Sequence, residues 1–65
     1  GAEVLVNRNS AVHSALGEPR VGIQLTGALG VIVEGPAGFG GGQWWRVDFT
    51  SGEDGWVRVQ TIDAK

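Results

Sequence analysis

The sequence predicts a small all-β domain. Twelve glycines interrupt its 65 residues every few positions, and glycine destabilises a helix interior but suits turns and bulges. The apolar residues between the glycines form short runs rich in valine and isoleucine, which are typical of strands. Short strands separated by frequent turn signals indicate a sandwich or a barrel.

The individual strands are predicted from these runs. In chain order we expect a strand over residues 3–8, a long loop over 9–20, an extended segment over 21–26, a strand over 29–34, a glycine-rich loop over 37–42 and a hairpin of residues 43–50 and 54–59. Gly35 and Pro36 are expected to end the strand before them, because proline cannot donate to a β-ladder. Thr61 and Ile62 make either a last short pairing or one helical turn.

The hairpin holds all three tryptophans of the chain. Side chains alternate between the two faces of a strand, so Trp45, Val47 and Phe49 share one apolar face and Trp44 lies on the other. We therefore expect Trp45 in the core and Trp44 partly exposed on the outer face. Replacing Trp45 by alanine is then expected to destabilise the fold, and replacing Trp44 to leave it mostly intact.

The hairpin register follows from burying Val57. A slip by one residue would expose Val57 and bury Arg58, which the apolar pattern forbids. We expect Val57 opposite Val47, and the remaining expected pairs are Val59 with Trp45, Trp56 with Asp48 and Arg58 with Arg46.

Composition limits the class of protein. The length fits one domain, and the absence of cysteine excludes disulfides and thiolate metal sites. A net charge of −2 without a basic patch gives no sign of nucleic-acid binding, and no apolar run is long enough for membrane insertion. The chain has no methionine, even at position 1. We therefore expect residues 1–65 to be a piece of a larger protein, or an engineered chain.

Two sequence blocks resemble a known family. Trp-Trp-Arg-Val-Asp-Phe at residues 44–49 and Gly-Trp-Val at residues 55–57 resemble the bacterial SH3-like (SH3b) domain of cell-wall hydrolases and of secreted or periplasmic proteins. Supporting segments at residues 4–8 and 27–36 extend the resemblance over nearly the whole chain. It implies a five-stranded, partly open SH3-like barrel and a location in the cell envelope or outside the cell.

The resemblance implies a non-catalytic binding module without a cofactor or metal. It would attach a larger bacterial or phage protein to a cell-wall peptide or glycan, or to a protein partner. Trp44 is the principal candidate for ligand binding, at a groove whose opposite wall is the long loop. Phe39 and Trp56 are weaker candidates, and Arg46 and Arg58, with Arg20, are candidates for binding a carboxylate.

Two departures from the family qualify the prediction. The chain has no tyrosine, whereas SH3 domains that bind proline-rich peptides carry tyrosines along the long loop, so a proline-rich ligand is disfavoured. The first strand also lacks a valine that such domains often place between asparagine and arginine.

The sequence also has features that bear on functions other than ligand binding. A structural or homo-oligomerisation domain, with an exposed tryptophan surface as its interface, is the main alternative. A small reductase family uses a Val-Gln-Ile-Tyr segment, of which residues 59–62 match only the beginning. His13 is expected to be a solvated loop histidine, and no enzyme activity is predicted.

Overall fold

A computed structural model describes the whole chain, residues 1–65. Its strands are β1 (Glu3–Val6), β2 (Ser10–His13), β3 (Arg20–Gln24), β4 (Leu29–Phe39), β5 (Gly42–Phe49), β6 (Gly55–Arg58) and β7 (Ile62–Ala64), with a 3₁₀ turn over Val59–Thr61. The all-β prediction is confirmed, but there are seven strands where five were expected. The structure has no helix with the length and apolar character needed to cross a membrane.

All seven strands belong to one antiparallel sheet, in the order β3-β2-β6-β5-β4-β1-β7. Neighbouring strands lie about 4.8 Å apart, so a flat sheet of seven would be about 29 Å wide and one layer thick. The Cα atoms instead occupy 26 × 20 × 18 Å. The sheet is therefore strongly curved around one buried face.

Valine dominates that buried face. Its seven core residues are Val4, Val6, Val12, Val47, Phe49, Val57 and Ile62. Trp45 is half-buried and packs against this cluster, on the face where the alternation placed it. The apolar periodicity of the hairpin therefore identified the core side of β5 correctly.

The predicted long loop, residues 9–20, contains a strand instead. β2 pairs with β3, and its last residue, His13, lies opposite Trp56 of β6. The hydroxyl groups of Ser10 and Thr61 hydrogen-bond at 3.0 Å, far apart in sequence. Gly17 and Pro19 lie in the connection after β2, and the contact that helps to hold β2 involves a residue at the other end of the chain.

The first strand ends at Val6 and not at Arg8. The backbone N–H of Asn7 donates to the carbonyl of Thr61, and its side-chain amide donates to the carbonyl of Gln60. At the C-terminus both alternatives occur, because Thr61 closes a 3₁₀ turn and Ile62 begins β7, opposite Val6.

β4 does not end at Gly35 and Pro36, as was predicted. The strand runs on to Phe39, and its pairing with β5 shifts register between Ile32 and Glu34 and again between Glu34 and Ala37. Pro36 therefore lies in a bulge, where no ladder hydrogen bond is required of it.

The predicted glycine-rich loop over residues 37–42 is a tight hairpin turn. Phe39 pairs with Gly42, and the two residues between them, Gly40 and Gly41, have φ of 61° and 81°. Positive φ at both central positions is the geometry of a type I′ turn, which matches the twist of a hairpin. Glycine adopts it without steric cost.

The register of the β5–β6 hairpin differs from the prediction by two residues. Val57 lies opposite Trp45, and Gly55 lies opposite Val47. The observed pairing also sets Trp56 opposite Arg46 and Arg58 opposite Trp44, so the two arginines do not face each other. A shift of two keeps every side chain on its predicted face.

A side chain explains the shift. The backbone N–H of Phe49 donates to Oδ1 of Asp54 at 2.8 Å. This carboxylate takes the place of a backbone partner, and the ladder between β5 and β6 begins only at Gly55.

Candidate functional site

The largest cleft of the molecule has a volume of about 330 Å³. One wall is the connection between β2 and β3, and the other is the turn between β4 and β5. The lining residues are His13, Leu16, Gly17, Glu18, Phe39, Gly40, Trp44 and Arg58. The cleft therefore brings together three of the six predicted site residues, Phe39, Trp44 and Arg58.

Trp44 forms the floor of the cleft. Its side chain is on the predicted outer face of β5, but the residue is only 8% exposed, which corrects the expectation of a partly exposed ring. The indole Nε1–H donates to the backbone carbonyl of Phe39 at 3.1 Å. His13 meets the ring edge-on and Arg58 lies over it, and neither contact is visible in the strand alternation.

Arg58 lies over Trp44, directly across the β5–β6 ladder. Its guanidinium carbon is 4.6 Å from the centre of the indole ring, within the range of a cation–π interaction. The ion pairs of the structure, Arg46 with Glu34 and Lys65 with Glu3, do not include it. Arg58 therefore brings a positive charge without an ion-pair partner into the cleft.

His13 is the cleft residue whose position the sequence did not predict. It is half-buried rather than solvated, and its ring meets Trp44 edge-on at 5.3 Å between ring centres. Nδ1 lies 2.7 Å from the carbonyl oxygen of Glu18. A carbonyl only accepts hydrogen bonds, so Nδ1 carries a proton. The sole sequence signal for this placement was Val12, the one β-branched residue of β2.

Phe39 forms the rim of the cleft next to the turn. The residue is 47% exposed, and its ring lies against Gly17, where an added Cβ would stand 2.9 Å from the ring. The sequence left open whether Phe39 covers a groove or fills the mouth of a barrel. Phe39 lies at the rim, with its ring between the β4–β5 turn and the β2–β3 connection.

A second, smaller depression adjoins the cleft. It measures about 100 Å³ and shares His13, Trp44 and Arg58 with the larger cleft. Its remaining lining residues are Asn9, Ser10, Ala11 and Thr61. The two depressions thus flank the same three side chains.

Three predicted site residues lie elsewhere. Arg20 begins β3 opposite His13 and does not line the cleft. Trp56 is 9% exposed and does not line the cleft. Arg46 pairs with Glu34 at 3.5 Å on the surface of β4 and β5, beside a separate depression of about 290 Å³ that also involves Asp48 and Asp54. The cleft therefore excludes all three.

The chemical groups of the cleft suit recognition. It offers two aromatic surfaces, a guanidinium and a carboxylate, that of Glu18. Ser10 and Thr61, the hydroxyl residues of the smaller depression, hydrogen-bond to each other. Nowhere do three or more His, Asp or Glu side chains come close enough to hold a metal ion.

Comparisons with known proteins assign no family to the chain. No family model matches it, and neither a curated protein nor a solved structure does. Its function is therefore argued from the geometry of the cleft and from the resemblance of its sequence blocks.

Proposed function

We propose that the domain is a non-catalytic binding module that holds an extended ligand across Trp44. The ligand is a cell-wall peptide or glycan, or a segment of a protein partner, and the parent protein acts in the cell envelope or outside the cell. One observation carries the proposal: the cleft between the β2–β3 connection and Phe39 shares Trp44 and Arg58 with a second depression beside it.

We further propose that the curved sheet is a partly open SH3-like barrel. The support is the resemblance of residues 44–49 and 55–57 to SH3b domains, together with a sheet whose dimensions require strong curvature. In this interpretation the β2–β3 connection is the long loop that borders the ligand groove of such domains. The cleft lies beside that connection.

The size of the cleft supports weak and local recognition. Its volume of about 330 Å³ is at the lower end of the range of ligand sites, roughly 300–1,000 Å³. It accommodates one or two residues or one sugar of a longer chain. Tandem copies in a parent protein would raise the affinity through effective concentration.

The proposal is tested by a two-dimensional amide NMR titration with solubilised peptidoglycan fragments. We expect shifts at the Trp44 indole N–H, at Phe39 and Arg58, and in residues 13–18. Phe39→Ala should weaken binding, and Val33→Ala, at an exposed apolar position on β4, should not. Shifts scattered over the molecule, or none at the cleft, would reject cell-wall binding there.

Self-association is the second candidate function, and a specific surface favours it. β3 is an edge of the sheet, and Val21, Ile23 and Leu25 are 45%, 50% and 63% exposed. An edge strand with apolar side chains and free backbone groups tends to pair with another strand. This surface replaces the expected tryptophan interface, because Trp44 and Trp56 are buried.

The proposed partner of β3 is a second copy of the chain. Antiparallel pairing of two β3 strands about Gly22 would set Val21 opposite Ile23, and Arg20 opposite Gln24. No like charges would then face each other, which favours the pairing. Sedimentation from micromolar to millimolar concentration should show a dimer that Ile23→Lys dissociates and Val33→Lys retains. A monomer throughout would exclude this function.

A further inference from the structure

We infer that the ligand of the cleft carries a carboxylate, which Arg58 binds, and an apolar group beside it, which contacts Phe39 and Leu16. This inference rests on the proposed function, since it names the chemistry of the ligand in the same cleft. It also selects one arginine among the candidates that the sequence offered for carboxylate binding.

The first argument is that Arg58 has no partner within the protein. Its guanidinium nitrogens are farther than 4.0 Å from every carboxylate oxygen. The side chains of Arg8 and Arg46 donate hydrogen bonds to Asn7 and Glu34, whereas those of Arg58 and Arg20 donate none. Of these two arginines, only Arg58 lines the cleft. A guanidinium has five N–H donors in a planar fork that fits a carboxylate with two parallel hydrogen bonds.

The second argument is that the guanidinium of Arg58, an exposed residue, lies against fixed groups of the fold. Trp44 lies 4.6 Å below it, and the indole is itself fixed by its hydrogen bond to Phe39. Gly42 leaves room for the guanidinium, because a Cβ added there would stand 2.9 Å from Nη1. A donor group fixed before binding loses less conformational entropy when the ligand arrives.

The third argument concerns the other groups of the cleft. Leu16 and Phe39 supply apolar surface beside Arg58, and a largely apolar site with few polar groups is the usual form of a ligand pocket. Glu18 is the one carboxylate that lines the cleft. It disfavours a ligand with a second negative charge, so a single carboxylate is the expected charge. The Nδ1–H of His13, also in the cleft, is already occupied by its hydrogen bond to the backbone carbonyl of Glu18.

Three short peptides test this chemistry and separate two sources of carboxylate. N-acetyl-Ala-Phe has a terminal carboxylate, its amide has none, and N-acetyl-Asp-Phe amide has only a side-chain carboxylate. In NMR titrations of the whole chain we expect at least one acid to bind at the cleft about tenfold more tightly than the uncharged amide, as suits charge-assisted hydrogen bonds. The acid that binds more tightly shows whether the ligand offers a terminal or a side-chain carboxylate.

Matched variants assign the effect to Arg58. Arg58→Gln should abolish the preference for the acid, and Arg46→Gln, outside the cleft, should retain it. Gly42→Ala should keep the amide spectrum of the folded chain but displace the guanidinium from Trp44, and the preference should fall. Glu18→Gln should increase the preference for the acid over the amide.

Several results would overturn the inference. Equal affinity of acid and amide, or an acid preference that survives in Arg58→Gln, would reject the carboxylate site while leaving binding at the cleft intact. No response to any of the three peptides would reject it too, and the peptidoglycan titration would then decide on the proposed function separately.

Discussion

Trp44 illustrates what single residues contribute. Strand alternation places its side chain on the face opposite Val47, and this is its position in the structure. Its burial comes from residues distant in sequence, since His13 packs edge-on against the ring and Arg58 lies over it. One side chain thus connects β2, β5 and β6, and it stabilises the fold as well as forming the cleft floor.

The first prediction reverses the expected order of the two tryptophans. Trp44→Ala should lower the free energy of unfolding by about 3–5 kcal/mol, the usual cost of deleting a large buried aromatic side chain. Trp45→Ala should cost less, because Trp45 is only half-buried. Phe39→Ala is the exposed control and should change stability by less than about 1 kcal/mol. Urea denaturation measures all three, and a stable Trp44→Ala variant would contradict the burial.

The second prediction concerns the carboxylate that sets the hairpin register. Asp54→Ala should lower the free energy of unfolding by about 1 kcal/mol, because it removes the acceptor of the Phe49 N–H. Asp54→Asn retains an oxygen acceptor and should cost less. Asp63→Ala removes an exposed carboxylate that makes no side-chain hydrogen bond and serves as the control. Equal denaturation midpoints for all three would show that the Asp54 bond contributes nothing.

At the scale of elements, turns and edge contacts decide which segments become strands. Gln24, a buried polar residue at the end of β3, donates through Nε2 to the carbonyls of Ser51 and Glu53 at 2.8 and 3.1 Å. These bonds attach β3 to the turn between β5 and β6. A strand at the edge of the sheet is thereby held by a side chain as well as by its ladder with β2.

The third prediction tests this attachment. Gln24→Ala removes both hydrogen bonds of Nε2. We expect the free energy of unfolding to fall by about 1–3 kcal/mol and the amides of β3 to exchange faster than those of β1. Gln43→Ala changes an exposed glutamine without a side-chain hydrogen bond and is the matched control. Hydrogen exchange followed by NMR separates a local loosening of β3 from global unfolding. Unchanged exchange in β3 would mean that its ladder with β2 suffices.

The fourth prediction concerns the type I′ turn between β4 and β5. Gly40→Asn should raise the free energy of unfolding by about 0.5 kcal/mol, because asparagine tolerates positive φ and restricts the unfolded chain. Space is available, since a Cβ at Gly40 has no neighbour within 4 Å. Gly40→Val should destabilise, because a β-branched residue disfavours this conformation. Thermal unfolding compares the two, and the same sign for both would contradict the turn geometry.

At the scale of the whole molecule, the topology pairs distant segments. β1 lies between β4 and β7, so that Val4 is opposite both Gly30 and Ala64. The first and last strands of the chain are therefore neighbours, and the core cluster forms only when β1, β5 and β7 are together. Such non-local pairing requires loop closure before most contacts form.

The fifth prediction is that the domain folds slowly for its size. All-β domains dominated by non-local pairing fold on the order of milliseconds to seconds. Stopped-flow tryptophan fluorescence should show a main phase in this range, since Trp44 and Trp56 become buried on folding. Ile62→Ala, at the core position of β7, should destabilise by about 2–4 kcal/mol. Complete folding in microseconds would indicate that local contacts control the rate.

Local sequence patterns are sufficient to predict the fold class, the core face of the hairpin and the placement of Trp44 and Trp45 on opposite faces of β5. These features follow from local physics, because glycine spacing sets where strands stop and alternation sets which side chains share a face. The segments 43–50 and 54–59 therefore match β5 and β6 closely. The candidate site residues came instead from the resemblance to SH3b domains, and of these Phe39, Trp44 and Arg58 line the cleft whereas Trp56, Arg46 and Arg20 do not.

The strand count, the hairpin register and the membership of the cleft depend instead on tertiary contacts. β2 is stabilised by the hydrogen bond between Ser10 and Thr61, and the register by that of Asp54, so neither follows from local propensity. His13 joins the cleft and Arg46 leaves it because the curvature of the sheet, rather than sequence distance, sets which side chains meet. Free energy that comes from contacts between distant residues cannot be read from the pattern of any one segment.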